Sequence, residues 1–391
     1  MRIVRVRATN FESSAWGDFC EREAELPLVT ALSTYPEYKH PISTWRPAES
    51  MCIVEVETDD ELTGIGWCED YCGATSRIVN GHLSRFLIGA DPCEITKIWD
   101  LMYRSSISYG RKGVALYGIS AVDIALWDLR GQHLQKPVYQ LLGGKVRDPI
   151  PAYASHLHYL DDDRFCAEAE DYVKQGYKAM KMRFPHGPAD GLPGMNRNID
   201  LVKLLRDTVG DSIEIMADAY MGWTLEYARR ITHRLAPFDL KWIEEPLLPD
   251  DLYGFVELRR TSPVPIATGE HEYTRYGFEV LIKNSAIDIV QFDMARVGGI
   301  TEARRVCTLA SAAGLPVCTH AYGLPTLHFV AAEPACMMAE YFPVPVWMKP
   351  EHAETEFFDG APMPRGGNVT ISDDPGMGYK FNSQIQDRLS S

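Results

Sequence analysis

Three things are scarce in this sequence, and each absence removes a class of function. None of the apolar runs in the 391 residues reaches the ~20 residues that a membrane helix needs. The opening MRIVRVRATN lacks the apolar core of a signal peptide. Basic residues are outnumbered, and a formal net charge of −15 argues against nucleic acid or an anionic membrane as the main partner. An even, regularly spaced set of cysteines is also missing. The nine present are irregular, and Cys68 and Cys72, the closest pair, are followed by no second pair at zinc-site spacing. Reduced thiols and a cytoplasmic location are the expectation.

What remains is an ordinary globular composition, 46% hydrophobic and 24% charged, in a chain long enough for two cores. Residues 1–135 read as a mixed α+β capping unit. RIVRVRATNF and MCIVEVET alternate like half-buried strands, and GIGWCED follows a turn. Residues 11–50 between the first two strands show no periodicity and are long enough to suspect a lid. SRIVNGHLSRFL, EITKIWDLMYRS and VALYGISAVDIALWDLRGQHL are helical patterns, the last apolar enough for a buried helix.

From about residue 150 short apolar runs alternate with helix-length amphipathic stretches. The runs are PAYASHL, AMKMRF, IEIMADAY, KWIEEP, PIATGE, DIVQFD, PVCTHA and MMAEYF. Eight strands separated by helices, too apolar for one-face exposure, predict an α/β fold with a (β/α)8-type, modified TIM barrel over residues 136–350. Residues 351–391, rich in Gly, Pro and Asp, are expected to pack back and complete the capping domain.

The polar residues near the C-terminal ends of these runs carry the chemistry. They are Lys181 and Arg183, then Asp218, Glu244 and Glu270, then Asp293, His320 and Glu340. Asp218, Glu244 and Glu270 are each 26 residues apart, one strand–helix unit, which puts three carboxylates on neighbouring strand ends at the face where barrel active sites lie. Hard oxygen donors in that number suit Mg²⁺. Taken singly, an acid after a strand is most often a helix N-cap, though Glu caps poorly and two at matched offsets weigh against it. Glu245 reads as a supporting or loop-facing partner. Lys181 also reads as a snorkelling barrel lysine and Arg183 as a structural ion-pair partner. His320 follows a strand run with Asp293 ending the preceding one, and a carboxylate-oriented imidazole suits a general base.

MADAY, WIEEP, TGEH, QFD and THAYG in this order resemble the enolase superfamily, specifically its mandelate-racemase-like subgroup. ISAVDIALWDLRGQHLQKPVYQLLGG (119–144) is similar to that subgroup's linking helix. The resemblance implies that Asp218, Glu244 and Glu270 hold Mg²⁺ and that Asp293 and His320 form an Asp–His dyad. It makes Glu340 the acid that hydrogen-bonds the substrate carboxylate as an enediolate forms. YPEYK, KMRFPHGPADG, EYFPVPVWMKP and DDPGMGY resemble the L-rhamnonate dehydratase branch, whereas MARVGG (294–299) and AYGLPT (321–326) differ from it and leave the sugar open. Arg183 stands where relatives with a KxK motif carry a lysine, and arginine cannot serve as a base.

The expected activity is therefore Mg²⁺-dependent dehydration of an L-rhamnonate-, L-mannonate- or L-lyxonate-like acid to a 2-keto-3-deoxy acid. Lys181 or Arg183 would stabilise charge, and His271, His40, Trp45 and Arg46 would hold sugar hydroxyls. The alternatives are a racemase or epimerase of a 2-hydroxy acid on the same scaffold, or a metal-binding subunit without catalysis. The resemblance also implies a homo-oligomer, often an octamer.

Overall fold

In the computed structural model, residues 1–11, 26–39, 50–343 and 358–390 are described. Strands β1 (Ile3–Phe11), β2 (Met51–Thr58) and β3 (Thr63–Glu69) form an antiparallel sheet in that order. Helix α1 (Ala74–Gly81) follows. The helix expected over SRIVNGHLSRFL stops there, and Leu83–Phe86 form a separate 3-10 turn, because His82 leaves helical geometry at φ −130°. Helices α2 (Ile95–Ser106) and α3 (Val114–Leu134) complete this layer.

Helix α3 is buried on every side from Ala115 to Leu129, and its lining there is apolar apart from a few polar residues such as Ser120, Asp123 and Asp128. One side lies on β3, at a distance that only glycine allows: a Cβ on Gly66 would sit 1.9 Å from the carbonyl oxygen of Ala121. The other side grips the barrel. Ser120 Oγ accepts from the backbone N–H of Gly298 (2.9 Å), and Asp123 Oδ2 accepts from that of Thr301 (2.9 Å).

After the short helix α4 (Val138–Leu142) the chain enters a curled parallel sheet. Its strands are β4 (Ile150–Leu157), β5 (Ala179–Arg183), β6 (Glu214–Asp218), β7 (Leu240–Glu244), β8 (Ile266–Thr268), β9 (Ile289–Val290) and β10 (Ala339–Tyr341). Between them run α5 (Asp162–Lys174), α6 (Gly191–Val209), α7 (Leu225–Leu235), α8 (Leu252–Thr261), α9 (Thr274–Lys283), α10 (Gly299–Ala312) and α11 (Leu324–Ala332). The sheet closes where β10 pairs with β4.

The seventh expected strand, PVCTHA, does not form as one. Single bridges, Val290–Val317, Asp293–His320 and Val317–Cys336, carry the sheet across that gap. Pro316 opens the segment without an N–H, and Ala321 closes it at φ +63°, leaving few residues for a ladder.

Inward-facing residues form one apolar layer: Tyr153, Ala179, Met216, Trp242, Ala267, Ile289 and Cys318, with Met337 and Met338 against it. Side chains alternate along a strand, so the position two residues on points inward one pleat higher. That step leads from the layer to Ser155, Lys181, Asp218, Glu244, Gln291, His320 and Glu340. The polar ring is thus the next turn of the same pattern that builds the core.

The tail joins both parts. β11 (Asn368–Val369) pairs antiparallel with β4, and Met377 donates its backbone N–H to Asp128 Oδ1 on α3 (2.8 Å). The last described element is α12 (Ser383–Ser390). Among the described residues no helix is long and apolar enough to cross a membrane.

Candidate active site

Strand register sets the site. Arg183 is the cross-strand partner of Asp218, and Asp218 of Glu244, so their side chains emerge side by side on β5, β6 and β7. Glu270 reaches the same mouth differently. It lies two residues beyond β8 and three beyond Ala267, out of phase with the alternation. Gly269, at φ +136°, corrects the phase, and a Cβ there would lie 2.7 Å from the Phe278 ring.

The structure brings the sequence-predicted charged residues into one buried constellation of ion pairs. Lys181 Nζ donates to Glu340 Oε1 at 2.7 Å and also to Glu244 Oε1. Arg183 Nη1 donates to Asp218 Oδ2, and Nη2 donates to the carbonyl of Ser155. The remaining Asp218 oxygen accepts from the N–H of Tyr220 at 2.7 Å. Lys181 does not snorkel to solvent, since it is fully buried and ion-paired, and Arg183 is ion-paired to Asp218.

Glu340 receives a further bond from Ser155 Oγ on Oε1 and one from the N–H of Ala321 on Oε2 (2.8 Å). Burial raises its pKa, but the cations of Lys181, His320 and Arg183 outweigh burial and hold the carboxyl down at about 2.

His320 and Asp293 meet as expected. Nδ1 of His320 donates to Asp293 Oδ2 at 2.7 Å, while Oδ1 accepts the N–H of Ala295 at 2.6 Å and fixes the carboxylate. Nε2 of His320 faces Glu270 Oε2 at 3.4 Å. Burial pushes the imidazole pKa down. Glu270, the bond to Asp293 and the Glu340 charge together lift it to about 9.

Glu270 is the least satisfied acid of the group. It is buried, yet no side-chain partner among the described residues comes closer than 3.4 Å. Burial raises its pKa, and His320, His271, Arg296 and Lys181 more than reverse that. A buried, ionised carboxylate with only distant partners is an incomplete arrangement. Asp218, Glu244 and Glu270 supply hard donors from three neighbouring staves, so residue type and position fit a divalent cation. As they stand, no three His, Cys, Asp or Glu side chains among the described residues are arranged to hold a metal. Asp218 and Glu244 are instead turned onto Arg183 and Lys181.

His271 lies on the other side of Glu270, at 3.6 Å, with Nδ1 3.2 Å from Glu245 Oε2. Glu245 is buried, accepts from Thr268 Oγ1 and from the N–H of Gly269 (2.9 Å), and thereby supports the end of β8. The expected His40, Trp45 and Arg46 lie outside the described residues.

Two residues that sequence reading passed over complete the site. Gln291 donates Nε2–H to Glu244 Oε2 at 2.6 Å, alongside Trp242 Nε1–H at 3.0 Å. Its inward phase, two residues before Asp293, was the available signal. Arg296 contacts Glu69, Glu270 and Asp293, and no local pattern marks it.

A curled parallel barrel with an antiparallel capping sheet and acids at its mouth defines a class, and the sequence matches it. Residues 164–385 match the family described as Enolase C-terminal domain-like, and residues 29–143 match the Mandelate racemase / muconate lactonizing enzyme, N-terminal domain. The chain belongs to the mandelate racemase/muconate lactonizing enzyme family of the enolase superfamily.

Among its relatives, an L-rhamnonate dehydratase from Saccharopolyspora erythraea is 37% identical over 92% of this chain and 90% of that protein. The crystal structure of rhamnonate dehydratase from Gibberella zeae complexed with Mg superposes with a TM-score of 0.89, at 30% identity, covering 99% of this chain and 95% of that one. A racemase from Streptomyces coelicolor A3(2) with bound magnesium superposes with a TM-score of 0.82, at 30% identity, covering 99% of each chain.

Proposed function

We propose that this protein is a Mg²⁺-dependent acid-sugar dehydratase acting on an L-rhamnonate-like aldonic acid. In this reading it removes the proton α to the carboxylate and expels the β-hydroxyl to give a 2-keto-3-deoxy acid. The observation that carries the reading is the oriented His320–Asp293 pair, whose Nε2 points toward a carboxylate-lined mouth.

Asp218, Glu244 and Glu270 would hold Mg²⁺, which supplies Lewis-acid stabilisation of an enediolate when bound. Asp293 keeps the His320 Nδ1–H in place, so that Nε2 of the neutral imidazole, the form that grows in as pH rises toward about 9, takes the α-proton and can return one to the leaving hydroxyl on the same face. Lys181 offers positive charge to the developing enediolate, and Arg183 adds a fixed guanidinium beside it. Glu340, held between Ser155, Lys181 and Ala321, fixes the Lys181 ammonium and hydrogen-bonds the substrate carboxylate only in its protonated form. His271, with Nδ1 tied to Glu245, leaves Nε2 for a sugar hydroxyl.

The racemase alternative needs a base on the opposite face. Lys181, paired with two carboxylates, is placed to remain an ammonium, and Arg183 has no accessible neutral form. A library of aldonic acids incubated with protein and Mg²⁺ and read for 2-keto-3-deoxy acid tests the proposal. Turnover of L-rhamnonate, L-mannonate or L-lyxonate supports it, and no turnover of any aldonate refutes it.

A further inference from the structure

Arg296 has no part in the proton transfers just described, yet it sits where cap and barrel meet. It is buried, and its guanidinium lies 6.0 Å from the ring centroid of Tyr117 on α3. Its shortest bonds go to the cap sheet. Nη2 donates to Glu69 Oε1 at 2.8 Å and Nε to the same oxygen at 3.3 Å, Glu69 being the last residue of β3.

The two barrel acids within reach are kept at arm's length. Nη1 is 3.5 Å from Glu270 Oε1, at the outer limit of a hydrogen bond, and Nε is 3.6 Å from Asp293 Oδ2. That Asp293 oxygen is the one that accepts from His320. An arginine free to close on these acids would compete with His320 for Asp293 and with a metal ion for Glu270. Arginine keeps its charge at any working pH, so only an opposing carboxylate can hold it back. The backbone of its loop is meanwhile pinned to the cap helices: Trp99 Nε1–H donates to the carbonyl of Gly298 at 2.8 Å, and Ser120 Oγ accepts the Gly298 N–H.

We infer that Glu69 of the cap sheet restrains Arg296 from the Glu270–His320–Asp293 cluster, so that a correctly seated cap leaves the metal ligand and the dyad free to act. Arg296 and Glu69 are positioning residues in this scheme. The inference rests on the proposed roles of Glu270 and His320.

Glu69→Gln, Arg296→Gln and the double variant test it, with titration calorimetry using Mg²⁺ alone and kcat and KM on an accepted aldonate. Glu69→Gln should weaken Mg²⁺ binding by ~10-fold, the scale of a hydrogen bond to a charged group. It should lower kcat more than it raises KM. Adding Arg296→Gln should reverse the loss of Mg²⁺ affinity, and Glu69→Asp, which keeps the charge, should recover part of it. A merely structural tie would leave Mg²⁺ affinity unchanged in all variants or make the double variant worse than Glu69→Gln, and either result overturns the inference. If Glu69→Gln does not fold, the comparison of Glu69→Asp with Glu69→Asp/Arg296→Gln carries the same signs. Wild-type protein that binds no Mg²⁺ would instead refute the proposed metal site, and the inference with it.

Discussion

Lys181 Nζ lies 2.7 Å from Glu340 Oε1, with both side chains fully buried. Removing one partner of such a pair strands the other charge. Lys181→Met should therefore destabilise the protein by ~3–5 kcal/mol. Adding Glu340→Gln should recover part of that loss, because the second variant removes one stranded carboxylate. Denaturant titration of the two singles and the double decides it, and strictly additive losses would show that the pair is not coupled.

The proposed metal ligands make a separate prediction. Glu244→Gln should abolish turnover while keeping the fold, since a neutral amide is a poor Mg²⁺ ligand. Excess chelator should silence the wild type until Mg²⁺ is restored. Glu245→Gln should act through stability instead, because Glu245 holds Thr268, Gly269 and His271. Activity and melting temperature, measured on both variants, separate these outcomes. Full activity in chelator would remove the metal from the scheme.

Gly269→Ala tests how Glu270 reaches the mouth. The φ of +136° and the 2.7 Å approach to Phe278 leave no space for a Cβ. A strained residue costs ~1–3 kcal/mol, and relief would swing Glu270 away. Loss of Mg²⁺ affinity in calorimetry is the expected result. A variant with normal affinity would show that Glu270 does not depend on this kink.

His328 links the start of α4, α11 and the tail. Its Nδ1 accepts the N–H of Tyr139 and its Nε2–H donates to the carbonyl of Met377, so the ring must be neutral. Burial lowers its pKa from 6.5 to about 4. Between those values the unfolded chain binds the extra proton. This contribution to stability is complete above pH 6.5 and is lost as pH falls toward about 4. The loss is at most about 3 kcal/mol. His328→Gln should be less stable than the wild type at pH 7, with the gap narrowing at pH 5. A constant gap in melting temperature would contradict a neutral, hydrogen-bonded His328.

Much of the barrel was legible because strands buried on both faces read as apolar runs, and polar residues ending such runs stand out against them. Lys181, Asp218, Glu244 and Glu340 were visible for that reason. The enolase-superfamily assignment followed from the order of these motifs, and the comparisons bear it out. PVCTHA was misread as a strand because its apolar character reflects burial, whereas Pro316 and Ala321 limit it to bridges. Glu270 seemed to sit on a strand only because a spacing of 26 residues does not reveal the turn at Gly269. Arg296 was invisible, since its main partner Glu69 lies 227 residues away and such pairings leave no local pattern. Gln291 carries no charge to set it apart in DIVQFD, and only the fold turns it onto Glu244.

His320→Asn isolates the nitrogen proposed to transfer the proton. Asparagine keeps hydrogen bonding but cannot titrate, so turnover should fall by at least ~10²–10⁴-fold. Mg²⁺ affinity and melting temperature should change little. If dehydration stops while exchange of the α-proton continues, His320 serves only the leaving hydroxyl, and Lys181 becomes the candidate base.

The most direct measurement is NMR of the wild-type protein with Mg²⁺ and L-rhamnonate, L-mannonate or L-lyxonate in D₂O. The expected result is a 2-keto-3-deoxy acid carrying solvent deuterium at C3. Recovery of the starting acid, deuterated at the α-carbon in both configurations and with no keto acid formed, would identify a racemase and contradict the dehydratase reading.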